Sequence, residues 1–156
     1  MTELATKALE LAAADLGVTE HPHGSNRGPE IDVYLRSVGL DPATGAYPWC
    51  AAFVCSKIQD AANALSWPLT FKRSASCKRL IELNYGIALA APIDGCVFVH
   101  LQADGHGHAG FVTEARPDGS IATIEGNSDA LGSRTGGSVV RNIRSPGYAQ
   151  VYLDIR

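Results

Sequence analysis

The feature that most constrains the fold is a change of hydrophobic period at Pro92. Upstream, apolar residues recur at helical spacing. Downstream, they form the runs and alternations that suit strands. Helices first and an antiparallel sheet second is the pattern of an α+β domain. The 156 residues suit one domain, 1–156, with no internal repeat, low-complexity tract or interdomain linker.

In the first half, Thr2 can cap a helix that carries Glu3 in its first turn. Leu4, Ala8, Leu11 and Ala12 keep helical spacing, and Gly17 ends the helix. A loop over Glu20 to Pro29 precedes a short helix around Ile31 to Val38, which stops at Gly39. A turn-rich stretch, Asp41 to Gly45, follows. The best-marked helix runs from about Pro48 to Leu65, with proline at its first position and Val54, Ile58, Ala61 and Leu65 on one face. Another is expected over Ser74 to Asn84. Beyond Pro92, about five strands are expected: Cys96–Leu101, His108–Glu114, Ser120–Glu125, Val139–Ile143 and Gln150–Ile155. Arg116-Pro117-Asp118-Gly119 marks a hairpin between the second and third.

A formal net charge of -3 gives no global basic field, so no nucleic-acid partner is expected. Local Lys and Arg clusters, Lys72-Arg73 with Lys78-Arg79 and Arg134, Arg141 and Arg144, read as solvated faces or anion contacts. No segment approaches the length of an apolar membrane span. Met1 to Lys7 lacks the basic opening and apolar core of a signal peptide, so synthesis in the cytoplasm is expected, with any export made by another system. The cysteines at 50, 55, 77 and 96 form no C-x-x-C and match no zinc ribbon. Cys55, Cys77 and Cys96 read as buried thiols.

Cys50 is different, because it falls in the opening turn of the Pro48 helix. Free N–H groups and the helix dipole stabilise a thiolate there. His108 heads a strand on which His108, Gly110 and Val112 share a face. Gly107 and Gly110 leave room for a neighbour to approach. Glu125 and Asn127 have the same parity at the end of the next strand, so either can reach the second imidazole nitrogen. Glu125 is the preferred orienter. Nucleophile, base and orienter are the parts of a thiol hydrolase.

These residues carry a resemblance. Trp49-Cys50-Ala51-Ala52-Phe53-Val54 at a helix start, Gly107-His108 leading to Val112, Glu125-Gly126-Asn127 at a strand end, and Pro92-Ile93-Asp94-Gly95 stand in the order of the CHAP group. These are the cysteine, histidine-dependent amidohydrolases/peptidases. The resemblance runs from about Gly24 to Arg144. It implies a papain-like α+β fold and cleavage of amide bonds in peptidoglycan. Cys50 would be nucleophile, His108 general base and Glu125 the third member, with Asn127 an auxiliary polar contact. Such domains serve in phage endolysins, cell-wall hydrolases and interbacterial toxins. The partners implied are stem peptides or cross-links, and an immunity protein for a delivered toxin. A monomer acting at the cell wall or periplasm is expected.

Two departures stand out. Leu40 to Ala46 has one carboxylate and cannot supply a calcium loop, so no metal or other cofactor is expected. The position before the cysteine holds Trp49, where many relatives have a polar residue. An oxyanion would therefore use the Cys50 N–H and another donor, for which Tyr47 is the candidate. Asn26, Arg27 and Arg134 are candidates for shaping the groove, the arginines because their forks suit stem-peptide carboxylates. Trp49 would either line the groove or enter the core. The rival readings are a zinc site at His21-Pro22-His23 or His106-Gly107-His108, a non-catalytic wall-binding domain, and acyl transfer to another amine.

Overall fold

A computed structural model describes residues 1–156. Four helices precede the main sheet: α1 (Glu3–Ala14), α2 (Pro29–Ser37), α3 (Cys50–Leu65) and α4 (Cys77–Asn84). The strands are β1 (Ala88–Leu89), β2 (Val97–Leu101), β3 (Gly107–Ala115), β4 (Ile121–Ser128), β5 (Ser138–Arg144) and β6 (Val151–Leu153). They form one six-stranded antiparallel sheet in the order β1-β6-β2-β3-β4-β5. This is the α+β architecture expected, with one strand more. The addition, β1, is only two residues long and pairs at the sheet edge with β6. A pair that short carries no periodicity of its own.

Local chemistry explains the helix ends. Thr2 Oγ1 accepts from the Ala5 N–H at 3.1 Å and caps α1. Ser76 does the same for Arg79 at 3.3 Å, so α4 starts at Cys77 rather than Ser74. α3 also begins later than expected. Trp49 takes the cap position, and Pro48 lies outside the helix. Cys50 is thus the first helical residue, with its N–H among the groups the helix cannot pair internally. At the far end, Ser66 turns left-handed (φ 56°) and closes α3.

α3 is the central element. Every residue from Cys50 to Ile58 is buried. α1 packs against it through Leu4, Ala8 and Ala12, and α2 through Ile31, Tyr34 and Leu35. Its other side meets β3 and β4, where Phe53 stands edge-on to Phe111 with ring centres 6.1 Å apart. The sheet has two different faces. Val97, Val99, Ala109, Phe111 and Ile124 belong to the helix-covered core. Phe98, Val112 and Ile121 belong to a smaller cluster with Cys96 and Ala149. His108 and Glu125 share strand parity with the second set, which places them on the face away from α3.

At Gly126 the sheet comes close against α3. A Cβ there would stand 2.7 Å from Trp49 Cζ3 and 2.8 Å from Phe53 Cβ, both buried. Neither ring has space to withdraw. Gly126→Ala is therefore expected to destabilise the protein by about 1–3 kcal/mol, read as a lower urea midpoint with an unchanged slope. An unchanged midpoint would show that α3 and β4 are not tightly joined.

Candidate active site

The first turn of α3 brings Cys50 over the start of β3. Its Sγ lies 4.0 Å from the Gly107 carbonyl and 4.0 Å from Cys77 Sγ, and Ala109 N–H also faces the sulfur. The imidazole of His108 is fully buried. Its Nε2 meets Glu125 Oε2 at 2.9 Å. That leaves Nδ1, which has no hydrogen-bond partner in the protein, as the ring nitrogen available to Cys50. Both ring nitrogens are thus assigned by their surroundings. Nε2–H donates to the carboxylate, and Nδ1 is left free to take a proton.

Register explains how Glu125 reaches the ring. Glu125 pairs with Gly110, two residues along β3 from His108, so the contact is a diagonal one across the strands. It requires Gly110. A Cβ at that position would stand 2.7 Å from Phe98 Cε1 and 2.9 Å from Glu125 Cγ. Gly107 does the same for α4, since a Cβ there would approach Cys77 Cβ to 2.6 Å. The room anticipated at these two glycines is taken up by Glu125, Phe98 and Cys77.

Glu125 is held from below as well. Arg144 Nε donates to Oε1 at 2.8 Å, and Arg144 Nη2 donates to Oε2. Thr123 Oγ1 donates to Oε1 at 2.7 Å, and Asn142 Nδ2 to Oε2 at 3.2 Å. Thr123, Asn142 and Arg144 reach the same side because β4 and β5 pair Thr123 with Asn142 and Ile121 with Arg144. The guanidinium of Arg144 also donates to the Gly132 carbonyl at 2.8 Å and lies 4.5 Å from the Tyr148 ring centre. Sequence reading left Arg144 among solvated or anion-contacting arginines. Its alternation with Asn142 along β5 was the available signal, but only the strand register aims that face at Glu125.

The electrostatics follow from this arrangement. The Cys77 thiol and the His108 imidazole both lower the Cys50 pKa, against the opposing effect of burial. Burial also opposes a charged His108, yet Cys50 and Glu125 together raise its pKa to about 9. Glu125 would be raised by burial, but His108 and Arg144 hold it well below the ordinary carboxylate range. All of these shifts favour a thiolate beside an imidazolium, backed by a carboxylate and a guanidinium. Cys55 and Cys96, by contrast, are pushed up to about 12 and about 11, chiefly by burial, and remain inert thiols.

The other candidates fall in different places. Asn127 does not join Glu125 at the imidazole. A bulge between Glu125 and Ser128 breaks the strand alternation, and Asn127 takes a left-handed φ of 55°. Its amide is buried without a partner in the protein. Trp49 does not line the groove. It is fully buried and donates Nε1–H to Glu20 Oε1 at 2.9 Å. Arg27 does not offer a free fork, because Asp32 occupies it bidentately at 2.8 Å and 2.8 Å. Asn26 is half-buried with a left-handed φ of 55° in the loop before α2. Arg134 is half-buried in the loop after β4 and makes no ion pair; the Asp104 carboxyl is lowered chiefly by the His106 N–H, with Arg134 adding to it.

Tyr47 does line the cleft, with its hydroxyl 2.9 Å from Thr44 Oγ1. That cleft, about 320 Å³, is bounded by Leu40, Tyr47, Cys50, Cys77 and the Gly105-His106-Gly107 turn. The His106-Gly107-His108 pair is split between two environments. His106 is exposed and faces Asp104 at 3.2 Å while His108 is buried, and no three His, Cys, Asp or Glu side chains converge on one point.

Comparison with known proteins gives one match. The CHAP domain family model matches residues 42–127, a span that contains Cys50, His108, Glu125 and Asn127. No curated protein and no solved structure matches the chain.

Arg144 supplies the test of how this site is held. Arg144→Met leaves a buried carboxylate with His108 alone as its countercharge and is expected to destabilise by about 3–5 kcal/mol at neutral pH. The depressed Glu125 pKa contributes stability that is present above its ordinary value of 4.5 and is lost as pH falls below it. The deficit measured by urea unfolding should therefore shrink in acid. A small, pH-independent deficit would make Arg144 a surface residue in energetic terms.

Proposed function

From the premise that this chain belongs to the CHAP family, whose model covers more than half of it, we propose that it hydrolyses amide bonds in peptidoglycan through Cys50, His108 and Glu125. The observation that supports this reading is the Cys50–His108–Glu125 line, in which Glu125 holds Nε2 of the imidazole, Nδ1 is left free, and Cys50 and His108 shift each other's pKa toward the ion pair. The Cys50 thiolate attacks the amide carbonyl. The uncapped first-turn N–H groups of α3, with the Tyr47 hydroxyl across the cleft, receive the oxyanion. Protonated His108 gives its proton to the leaving amine. A water molecule, activated by the now neutral ring, then hydrolyses the thioester. Glu125 keeps the ring in one orientation and stabilises its charge throughout.

The setting that fits is a lytic enzyme acting at the cell wall or periplasm, either endolysin-like or delivered as a toxin. In the delivered case, an immunity protein would occlude the Cys50 cleft. The substrate is a stem peptide or cross-link entering past Tyr47, with Arg134, which has no ion-pair partner, as a cation for its carboxylates.

Mass spectrometry of purified peptidoglycan after incubation tests the reading. Wild-type protein should release new fragments whose masses identify the bond. Cys50→Ala should release none, and Cys50→Ser should be slower by roughly 10³-fold or more, because serine lacks the acidity to form the ion pair. Fragment release by Cys50→Ala at the wild-type rate would sink the mechanism.

The pH profile separates base from nucleophile. His108, raised to about 9, is the acid for the leaving amine, so cleavage should fall as pH rises through about 9. Alkylation of Cys50 by iodoacetamide needs only the thiolate and should not fall there. Parallel loss of both rates would place the titrating group elsewhere.

A further inference from the structure

Cys77 was expected to be an ordinary buried thiol, and its position is not ordinary. It is the first residue of α4, and its sulfur lies 4.0 Å from that of Cys50. Both thiols are free, and both line the same cleft. The remaining cysteines do not approach Cys50 in this way. Cys55 Sγ turns to the Ser74 carbonyl at 3.6 Å, and Cys96 belongs to the cluster on the other face of the sheet. Two features hold Cys77 in place: the Ser76 cap that fixes the start of α4, and Gly107, whose missing side chain admits Cys77 Cβ against β3.

We propose that Cys77 is a resolving thiol, which captures Cys50 as a reversible intramolecular disulfide when a hydroperoxide oxidises the nucleophile. This goes beyond the hydrolase reading and does not depend on the substrate. In the first step the Cys50 thiolate attacks one oxygen of the peroxide. The S–O bond forms, the O–O bond breaks, and the leaving hydroxide takes the proton of the His108 imidazolium to become water. Cys50 is now a neutral sulfenic acid and His108 a neutral base. In the second step Cys77 gives up its proton and attacks the Cys50 sulfur. The S–S bond forms, the S–O bond breaks, and hydroxide leaves with that proton as a second water. One hydroperoxide and two thiols thus become one disulfide and two waters, or one water and an alcohol for an organic peroxide. A dithiol reductant returns the two electrons and two protons.

The electrostatics give the order of events. In the resting state the Cys50 thiolate keeps Cys77 protonated by accepting its S–H and repelling its charge. Oxidation of Cys50 removes that negative charge, so the restraint on Cys77 is lifted only after the first step. The sulfurs must then close from 4.0 Å to a bond of about 2.05 Å. Without a resolving partner, a sulfenic acid in an accessible cleft continues to the irreversible sulfinic acid.

The test uses the full chain, hydrogen peroxide and intact-mass spectrometry after blocking free thiols. Wild-type protein should yield a species lighter by two hydrogens. Its tryptic map should join the Ser37–Lys57 peptide to Ser74–Lys78, with fragment ions assigning the link to Cys50 rather than Cys55. Dithiothreitol should restore full alkylation of Cys50. Cys77→Ala, and Cys77→Ser as a second variant, should form no such link and should accumulate oxygen on Cys50 that dithiothreitol does not remove. Cys55→Ala should still form it. Oxygen adducts on Cys50 in wild-type protein with no link to Cys77 would overturn the proposal, as would equal recovery of Cys50 in the Cys77 variants. These readouts need no peptidoglycan. A disulfide in a protein that cleaves no wall would refute the hydrolase reading alone, and cleavage without the disulfide would refute this proposal alone.

Discussion

A buried carboxylate must find compensation for the water it loses, and Glu125 finds it on both sides. Arg144 grips it from β5 and His108 from β3, while Thr123 and Asn142 occupy its remaining acceptor positions. Extended through His108 to Cys50, the mutual pKa shifts favour a line of alternating sign: thiolate, imidazolium, carboxylate, guanidinium. Each charge is stabilised by its neighbours, so the set tolerates burial that no member would tolerate alone. The pairing of β3, β4 and β5 is what places the members in sequence. A slip of one residue in either register would turn half of them to the opposite face.

The helical half of the molecule supplies the other boundary condition. α3 delivers its first residue to the sheet because Trp49 is buried ahead of it and tied to Glu20, while Gly126 lets both Trp49 and Phe53 press against β4. Trp49, the residue before Cys50, therefore acts as an anchor. A polar side chain at that position would offer the cleft a donor. An indole there gives up that donor in exchange for a fixed helix start.

Much of this was legible in the residues. The switch at Pro92, the capped helices and the hairpin at Arg116 to Gly119 gave the layer order. Cys50, His108 and Glu125 stood out because helix-start and strand-parity rules apply to each locally. What escaped was information created only by pairing. Strict alternation placed Asn127 beside Glu125, but the bulge at Gly126-Asn127 removes it from that face. Arg27 looked available until Asp32, five residues later, was seen to close on it through the turn into α2. Arg144 and Cys77 acquire their importance from chain segments brought to Glu125 and Cys50 by the fold; Cys77 carries no local mark of it, and Arg144 only its alternation with Asn142.

The loop between β4 and β5 has a double attachment whose meaning lies in thermodynamic linkage. Its Gly132 carbonyl takes a hydrogen bond from the same guanidinium that clamps Glu125, and its far end is joined through Gly137 to the backbone of Glu20, the anchor of Trp49. Loop order and the charge state of the catalytic line are thus two ends of one equilibrium. Whatever orders that loop also favours the ionised carboxylate, and by reciprocity, titration of the line alters how firmly the loop is held.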